Sequence, residues 1–246
     1  MFNKKLITAV LVVCVLSVVC GCSATTEPVP TQAQIESLGI QANQGRQNKA
    51  YDQLQHWAEY GLPVAQRELA LTLLEVRGDV AKARAWLEKA AAGGDGESAF
   101  RLGEAYHYAR LGVDRNDAAA WKFYRLGADS GDDRSALMLA RMAKYGEGTK
   151  KDLVESVQWL TFASEHGNAQ AMFLLSNAYQ SGEGVAPNEV LARAWLEKAA
   201  AGDYPVAIQA LALAVEGGDL QIPKDATRAQ HLFKEAAEER RDHWNN

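Results

Sequence analysis

The sequence predicts an all-α solenoid of antiparallel helix pairs, and three observations carry that expectation. A bulky residue recurs at Trp86, Phe123, Trp159, Trp195 and Leu232, at steps of 37, 36, 36 and 37 residues. A fixed period of about 20 to 50 residues marks stacked structural repeats. Around each of these positions, apolar and small residues recur at spacings of three and four, which places them on one stripe of a helix. Between the stripes stand glycines, which supply the positive φ angles that end one helix and turn the chain back. Stacked units share one continuous core, so the 246 residues read as one elongated body and not as separate globules.

The first element is an export segment. Lys4 and Lys5 precede an apolar run from Leu6 to Val19, which is shorter than the roughly 20 residues needed to span a bilayer. The run ends in Val19-Cys20-Gly21-Cys22, which resembles the bacterial lipobox, a small residue set just before the cysteine that becomes lipidated. Residues 1–21 are thus expected to be a lipoprotein signal peptide and Cys22 the acylated N-terminus of the mature chain. The alternative is an ordinary secretory signal cut nearby. Cys14 and Cys20 follow Val and would leave with the signal, so no mature cysteine pair remains for a disulfide or a thiolate metal site. Ser23 stands where an Asp resembles a signal for retention in the inner membrane, which fits sorting to the outer membrane of a Gram-negative host. Residues 22–32, with Pro28, Pro30 and a single charge at Glu27, read as a short extended tether. The expected location is a cell-envelope membrane, with the body held by lipid and facing the periplasm.

The solenoid is expected over residues 33–246. A degenerate opening unit, 33–61, holds Leu38-Gly39, Gly45 and Trp57-Ala58. Five units follow at about 63–94, 95–131, 132–167, 168–202 and 203–240, and a polar cap closes the array. Each first helix is anchored by a leucine: Leu69, Leu102, Leu139, Leu175 or Leu211. Four residues before it stands Ala65, Ser98, Ser135, Ala171 or Ala207, and four after it Leu73, Tyr106, Ala143, Tyr179 or Val215. In the second helices, Ala83, Ala120, Ser156, Ala192 and Ala229 precede the bulky residues by three, and small pairs such as Ala90-Ala91 and Gly127-Ala128 follow them. Alternating small and large residues let helices approach closely and interlock, so these positions, the bulky ones included, are predicted core. Asn116 or Asp117, Asp152, Asn188 and Asp225 are predicted to cap the second helices. Those helices are expected to close at Gly94, Gly131, Gly167 and Gly202.

The combined pattern of Leu-Gly, a Tyr, a Gly-x-Gly-Val loop, an acidic cap, an Ala-x-x-Trp helix and an Ala-Ala pair ending at Gly resembles the Sel-1-like repeat, a relative of the tetratricopeptide repeat. Units two, three and four carry it most fully, in loops such as Gly182-Glu183-Gly184-Val185. The first unit has a shortened loop at Arg77-Gly78, and the fifth substitutes Gly217-Gly218-Asp219-Leu220 for the loop and Leu232 for the Trp. The resemblance implies a right-handed superhelical solenoid whose first helices line the concave face, and a scaffold or adaptor role. Cysteine-rich relatives are linked to penicillin-like compounds, but this mature chain lacks their paired cysteines.

Chemistry-bearing patterns are few. The five histidines show no metal-ligand spacing and no serine sits in a nucleophile elbow, so neither a catalytic residue, a metal nor a cofactor is expected. Gly146-Glu147-Gly148-Thr149-Lys150-Lys151 superficially suggests a phosphate loop, but it occupies the same place in its unit as Gly182 to Pro187 and reads as a turn. Glu147 and Glu183 are then solvated loop carboxylates. The net charge of −5 and the lack of a basic patch argue against nucleic acid. Binding should use residues that vary between units and face away from the core. Two and five places beyond the anchor leucines these are Glu104 and His107, Arg141 and Lys144, Asn177 and Gln180. The expected function is a monomeric, lipid-anchored scaffold that holds an unidentified protein partner in an envelope-assembly or secretion complex. Two alternatives are an immunity protein against a toxin delivered to the periplasm, and a protein that binds or hydrolyses cell-wall or penicillin-like ligands.

Overall fold

The computed structural model describes residues 28–45 and 48–245. The proposed lipidation site Cys22, the signal segment 1–21 and most of the tether lie outside the described residues. The folded body begins at Thr31. There the Thr31 backbone N–H donates to Gln34 Oε1 at 2.8 Å, and the Gln34 N–H donates to Thr31 Oγ1 at 3.4 Å. This reciprocal pair is a capping box that opens the first helix.

Among the described residues the fold is all-helical: α1 (Gln32–Gly45), α2 (Asn48–Tyr60), α3 (Pro63–Thr72), α4 (Val80–Ala92), α5 (Gly96–His107), α6 (Asp117–Asp129), α7 (Asp133–Tyr145), α8 (Leu153–Glu165), α9 (Ala169–Ser181), α10 (Glu189–Ala201), α11 (Pro205–Gly217) and α12 (Ala226–Asn245). Consecutive helices pack as hairpins and stack into a solenoid. In the first full unit α3 runs on through a π-helical turn, Leu73–Arg77, and ends at Gly78 with φ +64°. This accounts for the shortened loop, because Asp79 caps α4 at once.

The hairpins close by one recurring bond. The backbone N–H of each second-helix cap donates to the carbonyl four residues beyond the anchor leucine of the preceding helix. The pairs are Asn116 to Tyr106, Asp152 to Ala143 and Asn188 to Tyr179, each at 2.8 Å, and Asp225 to Val215 at 3.2 Å. The same four side chains accept from the first turn of the helix they cap, and this resolves the Asn116 or Asp117 alternative in favour of Asn116. First helices are capped too, by Asp95, Asp132 and Asn168. Three second helices end before the expected glycines Gly94, Gly131 and Gly167, which then take positive φ; after α10 it is Asp203, not Gly202, that does so, at +55°.

The anchor leucines and the small residues around them are buried throughout. The bulky series is not: Trp86, Phe123, Trp159, Trp195 and Leu232 are half-buried and lean on the core from its edge. In the first four of these helices the core residue is the next one, Leu87, Tyr124, Leu160 or Leu196. A ring at the rim can take a cation on its outer face. Lys89 stands 3.9 Å from the centre of Trp86, Lys198 4.2 Å from Trp195, and Arg125 5.0 Å from Trp159. The core continues along the array in three adjoining segments, with Tyr179 touching two of them.

The opening hairpin α1–α2 is held by an ion cluster. Arg67 of α3, only 7% exposed, donates to Glu36 of α1 at 3.1 Å, to Glu68 at 3.1 Å and to Asp95, the cap of α5, at 2.8 Å. Three successive hairpins therefore meet at one guanidinium.

Candidate functional site: clefts between successive first helices

The face built by α5, α7, α9 and α11 holds the predicted stripe, and stacking opens clefts between α7 and α9 and between α9 and α11. The cleft between α7 and α9 has a volume of about 110 Å³. Leu153, Val157 and Leu160 of α8 and Leu174 of α9 supply its apolar lining; Arg141, Lys144, Asn177 and Glu183 supply its polar groups. The neighbouring cleft, between α9 and α11, measures about 200 Å³ and is lined by Asn177, Gln180, Leu196, Leu213, Asp219 and Leu220 among others. Asn177 belongs to both.

Four of the six predicted residues thus converge on two adjoining clefts: Arg141, Lys144, Asn177 and Gln180. Arg141, Asn177 and Gln180 are exposed. Lys144 is tied to Glu183 by a 2.8 Å ion pair that bridges two units. Glu183 is therefore a partner across the cleft and not the freely solvated loop carboxylate that the sequence pattern implies. The reason is stacking: the loop after α9 falls beside the end of α7, one unit earlier.

Glu104 and His107 behave differently. Glu104 is half-buried. The His107 ring is drawn in from the outward stripe: its side chain is 10% exposed, and Nδ1 lies 3.0 Å from Oδ1 of Asp117 in the first turn of α6. Arg115 also pairs with Asp117, at 2.9 Å. Those hydrogen bonds and charges, Arg115 first, hold the Asp117 carboxyl below its usual range. His107 here ties α5 to α6. Near it, Tyr124 is fully buried with its ring over Gly103, and burial pushes its phenol well above the ordinary tyrosine range.

One member of the stripe escapes the sequence pattern. Leu213 occupies in α11 the place that Arg141 and Asn177 occupy in α7 and α9, two beyond the anchor leucine, and it is 51% exposed. Extending the same offset to the fifth unit would have found it. The apolar lining could not be found that way, because it comes mostly from second helices whose rotation toward the cleft depends on stacking. Among the described residues no group of three or more His, Cys, Asp or Glu is placed to hold a metal ion.

The Sel1 repeat model matches residues 63–95, 96–132, 133–168, 169–204 and 205–240. The chain belongs to the Sel1 repeat family. Sel1 repeat proteins are generally protein-interaction scaffolds and typically non-enzymatic. Among solved structures, this Sel1 repeat chain is similar to a Sel1 repeat protein from Oxalobacter formigenes, at 26% identity and a TM-score of 0.74, over 87% of this chain and 91% of that one. It is also similar to c5321, a protective antigen present in uropathogenic Escherichia coli strains, at 28% identity and a TM-score of 0.71, over 85% of this chain and 46% of that one. No curated protein sequence matches the chain.

Proposed function

We infer that this Sel1 repeat protein is a lipid-anchored, periplasm-facing scaffold that holds a protein partner on the face built by α5, α7, α9 and α11, within an envelope-assembly or secretion complex. The observation that carries the binding face is the pair of adjoining clefts, which gathers Arg141, Lys144, Asn177, Gln180 and Leu213 from three units. A rim of exposed polar groups around apolar pockets is the usual build of a protein interface. The anchor rests on the sequence alone, through Val19-Cys20-Gly21-Cys22. Affinity capture of the full chain from gently solubilised envelopes tests the reading. Recovery of a stoichiometric protein, lost when Arg141 and Asn177 are both changed to Ala, supports it; capture that is indifferent to that double change removes this face from the account. Metabolic labelling with a radioactive fatty acid tests the anchor: label is expected on the full chain and none on Cys22→Ser.

A further inference from the structure

We propose that the occupant of the two clefts is an extended peptide segment with a glutamate in the α7–α9 cleft and a leucine-sized apolar residue in the α9–α11 cleft. The proposal rests on the scaffold reading and names the chemistry of its partner. Charge selects the acid. Arg101, Arg125, Arg134 and Arg193 each pair with a carboxylate at 2.7 to 3.2 Å. Arg141, which lines the first cleft, makes no ion pair among the described residues, and its one hydrogen bond there is to Met138 Sδ at 3.9 Å. Lys144 and Glu183 neutralise each other beside it, so the cleft carries one uncompensated positive charge. The cleft suits glutamate better than aspartate, because Leu153, Val157, Leu160 and Leu174 offer apolar contact for the extra methylene.

The second cleft selects differently. Leu213, Leu196 and Leu220 line it with apolar surface, and Asp219 opposes a second carboxylate there. Asn177 stands between the two clefts. Its carboxamide offers both a donor and an acceptor, which matches the N–H and C=O of a peptide bond. The separation of the two side chains depends on the peptide's conformation: polyproline II returns a side chain to the same face after three residues, about 9 Å, and extended β after two, about 7 Å, or four, about 13 Å.

The test is fluorescence anisotropy of labelled ten-residue peptides against the purified full chain in detergent. The host is a Ser/Thr/Pro sequence, amidated at its C-terminus, that carries one Glu and one Leu, in either order, two, three or four positions apart. One order is expected to bind with a Kd of about 10 to 100 μM. Replacing the glutamate by Gln, or making Arg141→Ala, is expected to weaken binding about tenfold, and the two changes together by no more than one alone. Leu213→Asn is expected to remove the preference for Leu over Ala. Arg141 and Leu213 are exposed, so circular dichroism melts of both variants should match the wild type. The proposal is overturned if neither order binds below about 1 mM, if Arg141→Ala leaves affinity unchanged, or if only peptides with a free C-terminal carboxylate bind. Failure of all peptides, beside a captured protein partner that does depend on Arg141 and Asn177, overturns the peptide assignment and leaves the scaffold reading standing.

Discussion

At the scale of single residues, the array depends on where the backbone can approach its neighbour. Gly148 and Gly184 take positive φ, and a Cβ at either would overlap the backbone of the unit before, at Asp117 and Leu153 respectively. Gly184→Ala is expected to destabilise by about 2 kcal/mol or more, read as a Tm lower by roughly 5 °C. In the second unit that place is held by Gly112 (φ +69°), and the loop before it forces Ala109 (φ +54°) and Leu111 (φ +52°) into the left-handed region. Ala109→Gly is therefore expected to raise stability by up to about 1 kcal/mol, because the left-handed strain of an L-residue exceeds glycine's extra unfolded-state freedom. Asp117 adds a pH dependence. Its folded carboxyl titrates below its unfolded value, so its contribution is present above about pH 4 and lost as pH falls through the lower folded value. Urea melts should show a steeper loss of stability below pH 4 for the wild type than for Asp117→Asn. The half-buried Trp series shows the limit of sequence patterning at this scale. Periodicity marks a recurring position, but whether a side chain is central or marginal in the core depends on helix rotation.

At the scale of helices and turns, the elements follow the residues that start and stop them. Second helices start at Asn116, Asp152, Asn188 and Asp225. Asn188→Ala should cost about 1 kcal/mol, seen in a chemical melt, since the first turn of α10 loses its acceptor. Most of this was legible in the sequence, as were the hairpins and the loops. The first-helix caps were less so, because Asp95, Asp132 and Asn168 lie one residue past the glycine turns and read as part of them. A further regularity is printed in the chain: Ala83 to Gly93 and Ala192 to Gly202 share the sequence ARAWLEKAAAG. In both copies the arginine reaches the next unit's loop, Arg84 to the carbonyls of Leu111 and Gly112 and Arg193 to that of Gln221. In each loop a residue at positive φ is held by an arginine from the unit before.

At the scale of the whole array, each unit is stable only through its neighbours, so contacts that cross units matter most. Arg67 is the densest of these. Arg67→Ala should cost about 3 kcal/mol, because Asp95 is left buried without its counter-charge, and hydrogen exchange should rise first in α1 and α2. That cluster could not be read from spacing, since Glu36, Glu68 and Asp95 belong to three different hairpins. The candidate site divides in the same way. Arg141, Asn177 and Gln180 follow from a helical offset, whereas Glu183 and the apolar lining follow from stacking, which the period implies but does not draw. The central claim is that this face holds a partner. The most direct measurement is the yield of a co-purified protein with wild-type chain and with the Arg141→Ala, Asn177→Ala double variant, at matched expression and Tm. The account predicts a one-to-one partner with the wild type and at least about a tenfold lower yield with the variant; equal yields from both would contradict it.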